Sequence, residues 1–367
     1  MAPITACSGW GRIASLVLVP STLLVLAGCA GPSSATGSAA TDAAGVSTSS
    51  CAKVADPFST DDAPDSINYT DLAAKLGPVP TVKSGTSFGS VMKFLGNQYW
   101  VALAKGQTER AAKYSIKLDV QAAVSESDQV GQLNQAETML NKGYTAILAS
   151  PQSDTNLCPA VEKAEGKKQL VVNVNDAVFP NAQRWVGPKQ IENGVTAAKY
   201  LIEKLPPKSK VAVIEGQAGV YAAKQRTQGF TDTATTGGLN VVASVPGDWD
   251  VQKARDAATT ILQQTPDIAA FYCNNDTMAL GVVEAVKSAG KRGKVLIIGT
   301  DGIEDAYKAI RAGDLTATVD SYPYLTGAVS VDVALRVLGG QDVPRAVYTP
   351  QALITKENVE EPAPTLS

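Results

Sequence analysis

Amides, carboxylates, an arginine and large aromatic rings recur in this 367-residue chain just after short apolar runs. Asn97, Tyr99 and Trp100 follow the run Phe88–Met92, and Asn175 and Asp176 follow Leu170–Val174. Arg226 lies on the helical stretch after Val211–Glu215, and Trp249 follows Val241–Val245. Asn275 comes after Ala269–Cys273, Asp301 after Val295–Gly299, and Asp320 and Ser321 after Thr316–Val319. The chemistry this inventory suits is the holding of hydroxyl groups, which donate and accept at once and so need carboxylates, amides and a guanidinium around them. Each charge-assisted bond contributes about 1.5–3 kcal/mol when desolvated. The C–H faces of a polyol pack on aromatic rings, a task for Tyr99, Trp100 and Trp249. Taken singly, each residue has a plainer role. Asp250 and Asp276 precede helices and read as N-caps, Asp301-Gly302 reads as a turn, Trp100 as core and Arg226 as a solvated helix residue. The repeated placement at run ends carries the reading.

Bond-breaking chemistry finds little support. The chain has no histidine, which removes the commonest general base and metal ligand. Asp176 and Asp301 could in principle oppose each other as a glycosidase pair, but no phosphate loop or nucleophile motif accompanies them, and a non-enzyme without cofactor or metal is expected. The 32 basic and 35 acidic residues give a formal charge of −3 with no basic cluster, which argues against nucleic acid.

The elements that must position these residues alternate. The runs named above, with Lys117–Ala123 and Ala146–Ala149, are each followed by a segment of helical period, such as Tyr99–Tyr114 and Asp128–Asn141. Gly143, Gly166 and Gly290 stand where C′ glycines close helices. Near-continuous apolar strands between helices imply parallel sheets covered on both faces. Repetition over more than 200 residues, interrupted at Pro188 and Pro206-Pro207, predicts an α/β fold of two doubly wound lobes. In such sheets ligands sit beyond the carboxyl ends of the strands, where the polar inventory lies.

The N-terminal part reads differently. Arg12 precedes an apolar run from Ile13 to Ala27 that ends in Leu26-Ala27-Gly28-Cys29, which resembles a bacterial lipobox. Residues 1–28 are expected to be a lipoprotein signal peptide, Cys29 the lipidated residue, 29–50 a flexible Ser/Thr/Ala/Gly tether and 51–85 an extended leader. The expected location is the outer face of the cell membrane, lipid-anchored. Cys51, Cys158 and Cys273 lack metal spacing. Cys273 lies in an apolar run, so a disulfide between Cys51 and Cys158 is the expectation.

Several segments resemble the type I periplasmic binding proteins, in the ribose-binding branch. They are Asn97-Gln98-Tyr99-Trp100, Lys224-Gln225-Arg226-Thr227-Gln228-Gly229-Phe230, Gly247-Asp248-Trp249-Asp250, Asn274-Asn275-Asp276-Thr277-Met278 and Ile298-Gly299-Thr300-Asp301-Gly302, in this order. The resemblance implies two αβα lobes joined by a three-strand hinge, with crossings near Val186–Pro188, Ser321–Tyr322 and Thr349–Gln351. The N-terminal lobe would comprise 86–187 plus 322–350, and the C-terminal lobe 188–321 plus 351–360. It also implies a monomeric substrate-binding protein of an ABC importer, with the permease subunits as partners and a small sugar or polyol as ligand. The ligand contacts it implies are Asn97, Tyr99, Trp100, Arg226, Trp249, Asn275 and Asp301. Where the family pattern has an Asp-Arg pair and a glutamine, this chain has Asn175-Asp176 and Ser321 beside Asp320, so D-ribose itself is not the expected solute. A LacI-type repressor of the same fold would need a helix-turn-helix where the lipobox stands. A chemosensory protein or quorum-signal receptor would use the same scaffold and is the competing expectation.

Overall fold

The computed structural model describes residues 58–60, 63–361 and 363–364. The expected signal peptide, Cys29, the tether and Cys51 lie outside these residues. No helix among the described residues is long and apolar enough to cross a membrane.

In chain order the first part comprises β1 (Ser66–Asn68), α1 (Leu72–Leu76), β2 (Ser87–Phe94), α2 (Gln98–Lys113), β3 (Lys117–Ala123) and α3 (Gln129–Asn141). It continues with β4 (Ala146–Ala149), α4 (Cys158–Gly166), β5 (Leu170–Val174) and β6 (Trp185–Gly187). The second part comprises α5 (Gln190–Lys204), β7 (Lys210–Glu215), α6 (Tyr221–Thr236), β8 (Asn240–Pro246), α7 (Val251–Gln264), β9 (Ala270–Cys273) and α8 (Asp276–Ser288). There follow β10 (Leu296–Asp301), α9 (Glu304–Arg311), β11 (Ala317–Asp320), α10 (Pro323–Leu338), β12 (Ala346–Tyr348) and β13 (Ala352–Thr355). Among the described residues these strands form two sheets, ordered β1-β12-β6-β5-β4-β2-β3 and β13-β11-β10-β9-β7-β8. Every neighbouring pair is parallel except β11 with β13.

Burial follows strand position. Central β4 and β9 are buried at every residue, as strands covered by helices on both faces must be. Edge strand β8 alternates exposed and half-buried residues. The chain passes between the sheets after β6, after β11 and after β12, giving the two αβα lobes and three-strand hinge. At the second passage Tyr322 takes a left-handed backbone (φ 45°) and Pro323 opens α10, which turns the chain sharply into the first lobe.

Helix pairs in each lobe meet through glycines. A Cβ on Gly106 of α2 would lie 1.9 Å from the Tyr324 carbonyl oxygen of α10, and one on Gly194 of α5 would lie 2.1 Å from the Arg226 carbonyl oxygen of α6. Only glycine permits that approach, and it fixes the height at which α6 presents Arg226.

Three sequence expectations need amendment. The leader is not merely extended: residues 66–68 form a strand that pairs in parallel with β12, and α1 follows. Gly166 is the last residue of α4, and the left-handed position that ends this segment is Lys168 (φ 56°), whereas Gly143 and Gly290 do take positive φ. Asp276 does not cap α8. Asn275 does, its side chain accepting from Met278 N, and Asp276 turns inward instead. Asp250 caps α7 as expected.

Candidate functional site

Nine side chains from both lobes enclose one cavity: Asn97, Tyr99, Trp100, Glu126 and Asp176 from the first, Arg226, Trp249, Asn275 and Asp301 from the second. Eight of these are the residues read from the sequence. Asn175, Asp320 and Ser321 do not line it. Asn175 lies behind Tyr99, donating to its hydroxyl at 2.5 Å and accepting from Gln190. Asp320 accepts from Tyr307 Oη and from Tyr322 N, which shapes the turn into α10. Ser321 donates to Asn193 at the hinge. Their strand ends face the chain crossings rather than the cleft.

In the first lobe the cavity groups are wired together. Asn97 caps α2 through Tyr99 N and donates to Glu126 Oε1 at 3.2 Å. Trp100 Nε1 donates to the same oxygen at 3.0 Å. Behind them lies Lys93, fully buried within β2, with Nζ 2.5 Å from Asp176 Oδ2 and 3.6 Å from Glu126 Oε2. The same ammonium stands 5.6 Å from the Trp100 ring and 5.5 Å from the Trp249 ring, within cation–π range of both. Burial works against its charge, but Asp176 and Glu126 outweigh burial and lift it above the ordinary lysine value. Burial raises Glu126, and Lys93 offsets part of that rise.

In the second lobe Arg226 is 1% exposed. It donates through Nε to Gln190 Oε1 (2.8 Å), and through one terminal nitrogen to Asn274 O (2.6 Å) and Asp301 Oδ1 (3.3 Å). Burial opposes the guanidinium charge, yet Asp301 and Asp176 hold it above its usual value. Asp301 is pushed well above the carboxylate range by burial, against the pull of Arg226. Asp276, wholly buried, accepts from Gly302 N, Ile303 N and Thr318 Oγ1, and so ties the ends of β10 and β11 together behind Asp301. Asp248, Trp249 and Asp301 all sit at positive φ (52°, 63° and 135°). Such conformations cost about 1–3 kcal/mol each and persist only where surrounding structure enforces them. Trp249 closes over Gly216, where a Cβ would stand 2.1 Å from the indole.

The lobes touch across the cleft. Gln98 Nε2 donates to Asp305 Oδ2 at 2.6 Å, and Ala222 N donates to Asp176 O at 3.0 Å. The inner cavity is about 10 Å³ in this shut state, room for roughly one water. A wider chamber of about 600 Å³ lies outside it and shares Asn97, Glu126 and Trp249 as its inner wall.

One cavity residue, Glu126, and the lysine behind the cavity, Lys93, were not read from the sequence. Glu126 follows β3 by three positions, so the strand-end rule would have found it had that strand's end been inspected. Lys93 lies inside a strand, out of that rule's reach. The available signal was a lone charge in the otherwise uncharged run Ser87–Phe94. Cys158 is disulfide-bonded and Cys273 is a buried free thiol.

Comparison with known proteins fits this geometry. Residues 88–342 match the periplasmic binding protein domain. The D-allose-binding periplasmic protein of Escherichia coli is 38% identical over 258 residues, 68% of this chain and 83% of its own. The ribose import binding protein RbsB of Bacillus subtilis is 32% identical, covering 75% of this chain and 89% of its own. Among solved structures, an ABC transporter solute-binding protein from Actinobacillus succinogenes with bound D-allose superposes with a TM-score of 0.72 at 30% identity, over 75% of this chain and 99% of that one. With the family match running over residues 88–342, and relatives more than 30% identical over two thirds or more of the chain, the chain belongs to the periplasmic binding protein family.

Proposed function

We infer that this protein is the extracytoplasmic substrate-binding component of an ABC importer and that it takes an uncharged sugar or polyol in the cleft between its lobes. The observation that carries this is the nine-residue cavity. Five polar groups able to serve hydroxyls (Asn97, Glu126, Asp176, Asn275 and Asp301), one guanidinium and two indoles converge there from opposite lobes. Trp249 adds an indole N–H that is buried without a partner among the described residues. The fixed charges nearly cancel: Lys93 and Arg226 stand against Glu126, Asp176 and Asp301. That balance suits a neutral, oxygen-rich solute better than an amino acid, whose ammonium and carboxylate each need a matching charge.

Binding proceeds by hinge closure. A solute that bonds both lobes interacts fully only when they are shut, so its differential contacts favour the closed state. The shut cavity is small, and entry requires the lobes to part about the three crossings. The closed form then presents both lobes to the permease. Lipid attachment at Cys29 would hold the protein at the outer membrane face, and a Cys51–Cys158 disulfide would pin the leader to α4. The E. coli relative is named for D-allose and other relatives for ribose, so these sugars head the candidates.

Thermal denaturation of the protein with D-allose, D-ribose, D-fucose, myo-inositol and a set of amino acids tests the reading. A sugar at about 100 times its Kd stabilises by about 2.7 kcal/mol, a shift of a few degrees. Hits confined to amino acids would overturn the assignment.

A further inference from the structure

Helix α6 carries Arg226 but has no cap of its own. Its N-cap is Val220, whose side chain offers no acceptor, and the preceding loop Gly216–Gly219 supplies none. The first N–H groups are satisfied from the opposite lobe instead. Tyr221 N donates to Asp154 Oδ1 at 3.3 Å, and Ala222 N donates to the Asp176 carbonyl at 3.0 Å. Asp154 and Asp176 lie on the loops that follow β4 and β5. The Asp154 carboxylate is itself fixed by Val178 N at 3.0 Å. A carboxylate at the positive end of a 16-residue helix is favourable, and here it arrives across the cleft.

A third group comes from the leader. Thr60 Oγ1 donates to Tyr221 Oη at 2.8 Å, while the Thr60 carbonyl accepts from Tyr348 Oη. Thr60 is wholly buried. It is held in place by first-lobe contacts: Phe58 N to Pro180 O, and the pairing of β1 with β12. The match to the family begins at residue 88, so this contact is made by a segment that precedes the shared domain. The Tyr221 ring packs on the first-lobe cluster of Ala63, Val178, Trp185, Ala346 and Tyr348.

We propose that Asp154, the Asp176 carbonyl and Thr60 form a clasp that caps α6 from the opposite lobe as the cleft shuts, so that the leader takes part in retaining the solute. The proposal rests on the reading of the cleft as a hinge-closing sugar site. Its physical content is a trade. In the open form the α6 N–H groups turn to water and the bond between Thr60 and Tyr221 is broken. In the closed form the N–H groups gain a fixed carboxylate and a carbonyl, and that bond forms. The closed state is therefore favoured by contacts that do not touch the solute, and Arg226 is delivered at a fixed depth. Asp154, Thr60 and Tyr221 are positioning residues, not ligand contacts.

The test uses the full chain, D-allose as probe and two readouts: the Kd with its dissociation rate, and the ligand-free distance distribution between spin labels on α3 and α7. Asp154→Ala should weaken D-allose binding about 5–10-fold, the size of a lost helix cap, and mainly through faster dissociation. Asp154→Asn should restore binding to within about twofold, because asparagine caps as well as aspartate. Since Asp154→Ala also frees Val178 N inside the first lobe, Thr60→Val and Tyr221→Phe provide the cleaner pair. Each should cost about 2–5-fold, the double variant no more than either single, with the labelled lobes shifted toward longer distances and the melting temperature of the ligand-free protein unchanged. Unchanged Kd and distances in all four variants, or losses from Thr60→Val and Tyr221→Phe that simply multiply, would overturn the clasp. Failure of the unaltered chain to bind D-allose would overturn that choice of sugar, leaving the ligand-free distances to decide the clasp by themselves.

Discussion

Between the first lobe and the second, the half-cavities are held in contrasting ways. In the first, Lys93, Asp176, Glu126, Asn97 and Trp100 are joined to one another by ion pairs and hydrogen bonds, with the ammonium at the centre. In the second, strained backbone does much of the holding: Asp248, Trp249 and Asp301 stand at positive φ, and Asp276 anchors the Gly302 and Ile303 amides behind them. Arg226 there keeps neutral partners, Gln190 and the Asn274 carbonyl, besides Asp301. A charge network fails as a unit when its centre is removed. A backbone-held side chain can be altered at its tip while its neighbours stay in place.

The largest effect should therefore come from the centre of the first network. Lys93→Met keeps the volume and removes the charge, leaving Asp176 and Glu126 buried against each other without a cation. Loss of one partner from a buried ionic cluster costs about 3–5 kcal/mol. The variant should melt many degrees lower and bind no sugar, as chemical denaturation and calorimetry would show. A Lys93→Met protein that melts normally would mean that the carboxylates take up protons cheaply, and the contrast between the lobes would dissolve.

This contrast also marks what could be read in the sequence. The strand-end rule found Arg226, Trp249, Asn275 and Asp301 because in the second lobe every cavity residue stands at the end of its strand, just after it or on the following helix. The fold was legible for a related reason. β4 runs over Ala146–Ala149, the limits set by its apolar run alone, since a strand covered on both faces must be apolar throughout; β3 and β5 also keep their expected limits, Lys117–Ala123 and Leu170–Val174, although β3 is an edge strand carrying Lys117, Asp119 and Gln121. Lys93 escaped because its partners are distant in sequence: Asp176 is 83 residues away. Asp320 was placed in the cavity by the same rule that succeeded elsewhere, but β11 ends at a chain crossing, where the carboxylate is consumed in turning Tyr322. The edge strand β1 gave no signal, being three residues of mixed polarity whose pairing with β12 spans about 280 residues of chain.

An intermediate effect is expected at Asp301. Burial raises the pKa of this carboxyl against the pull of Arg226, so Asp301→Asn removes a charge whose burial the fold disfavours. Arg226 retains Gln190 and the Asn274 carbonyl. The variant should melt within about 2 °C of the parent, yet lose about 10–100-fold in sugar affinity, the worth of one charge-assisted bond. Paired with Lys93→Met, it separates damage to binding from damage to the fold. Equal destabilisation by both substitutions would show that the second lobe is a charge network too.

The smallest effect is a pH dependence assigned to the second lobe. Burial raises Asp276 to about 6 and Asp320 to about 7, the latter against hydrogen bonds from Tyr307 and Tyr322 N and with Asp276 adding to the rise. In the unfolded chain both titrate near ~3.9. Between these values the folded protein holds protons that the unfolded chain has lost, so stability falls as pH rises. The contribution is fully present below ~3.9 and disappears as pH passes about 6 for Asp276 and about 7 for Asp320. Asp119 of the first lobe has the opposite sign. Hydrogen bonds from Lys142 and Tyr144 lower it to about 2, so its contribution is present above ~3.9 and is lost only in stronger acid. From pH 7.5 to 5.5 the first-lobe Asp119 is silent and the ligand-free protein should melt higher at the lower pH. Asp320→Asn, which mimics the protonated acid between Tyr307 and Tyr322, should raise melting at pH 7.5 more than at pH 5.5 and flatten the slope. A slope left intact in Asp320→Asn would move the dependence away from the hinge end of β11, to Asp276 or to the raised acids of the cavity, Glu126 and Asp301.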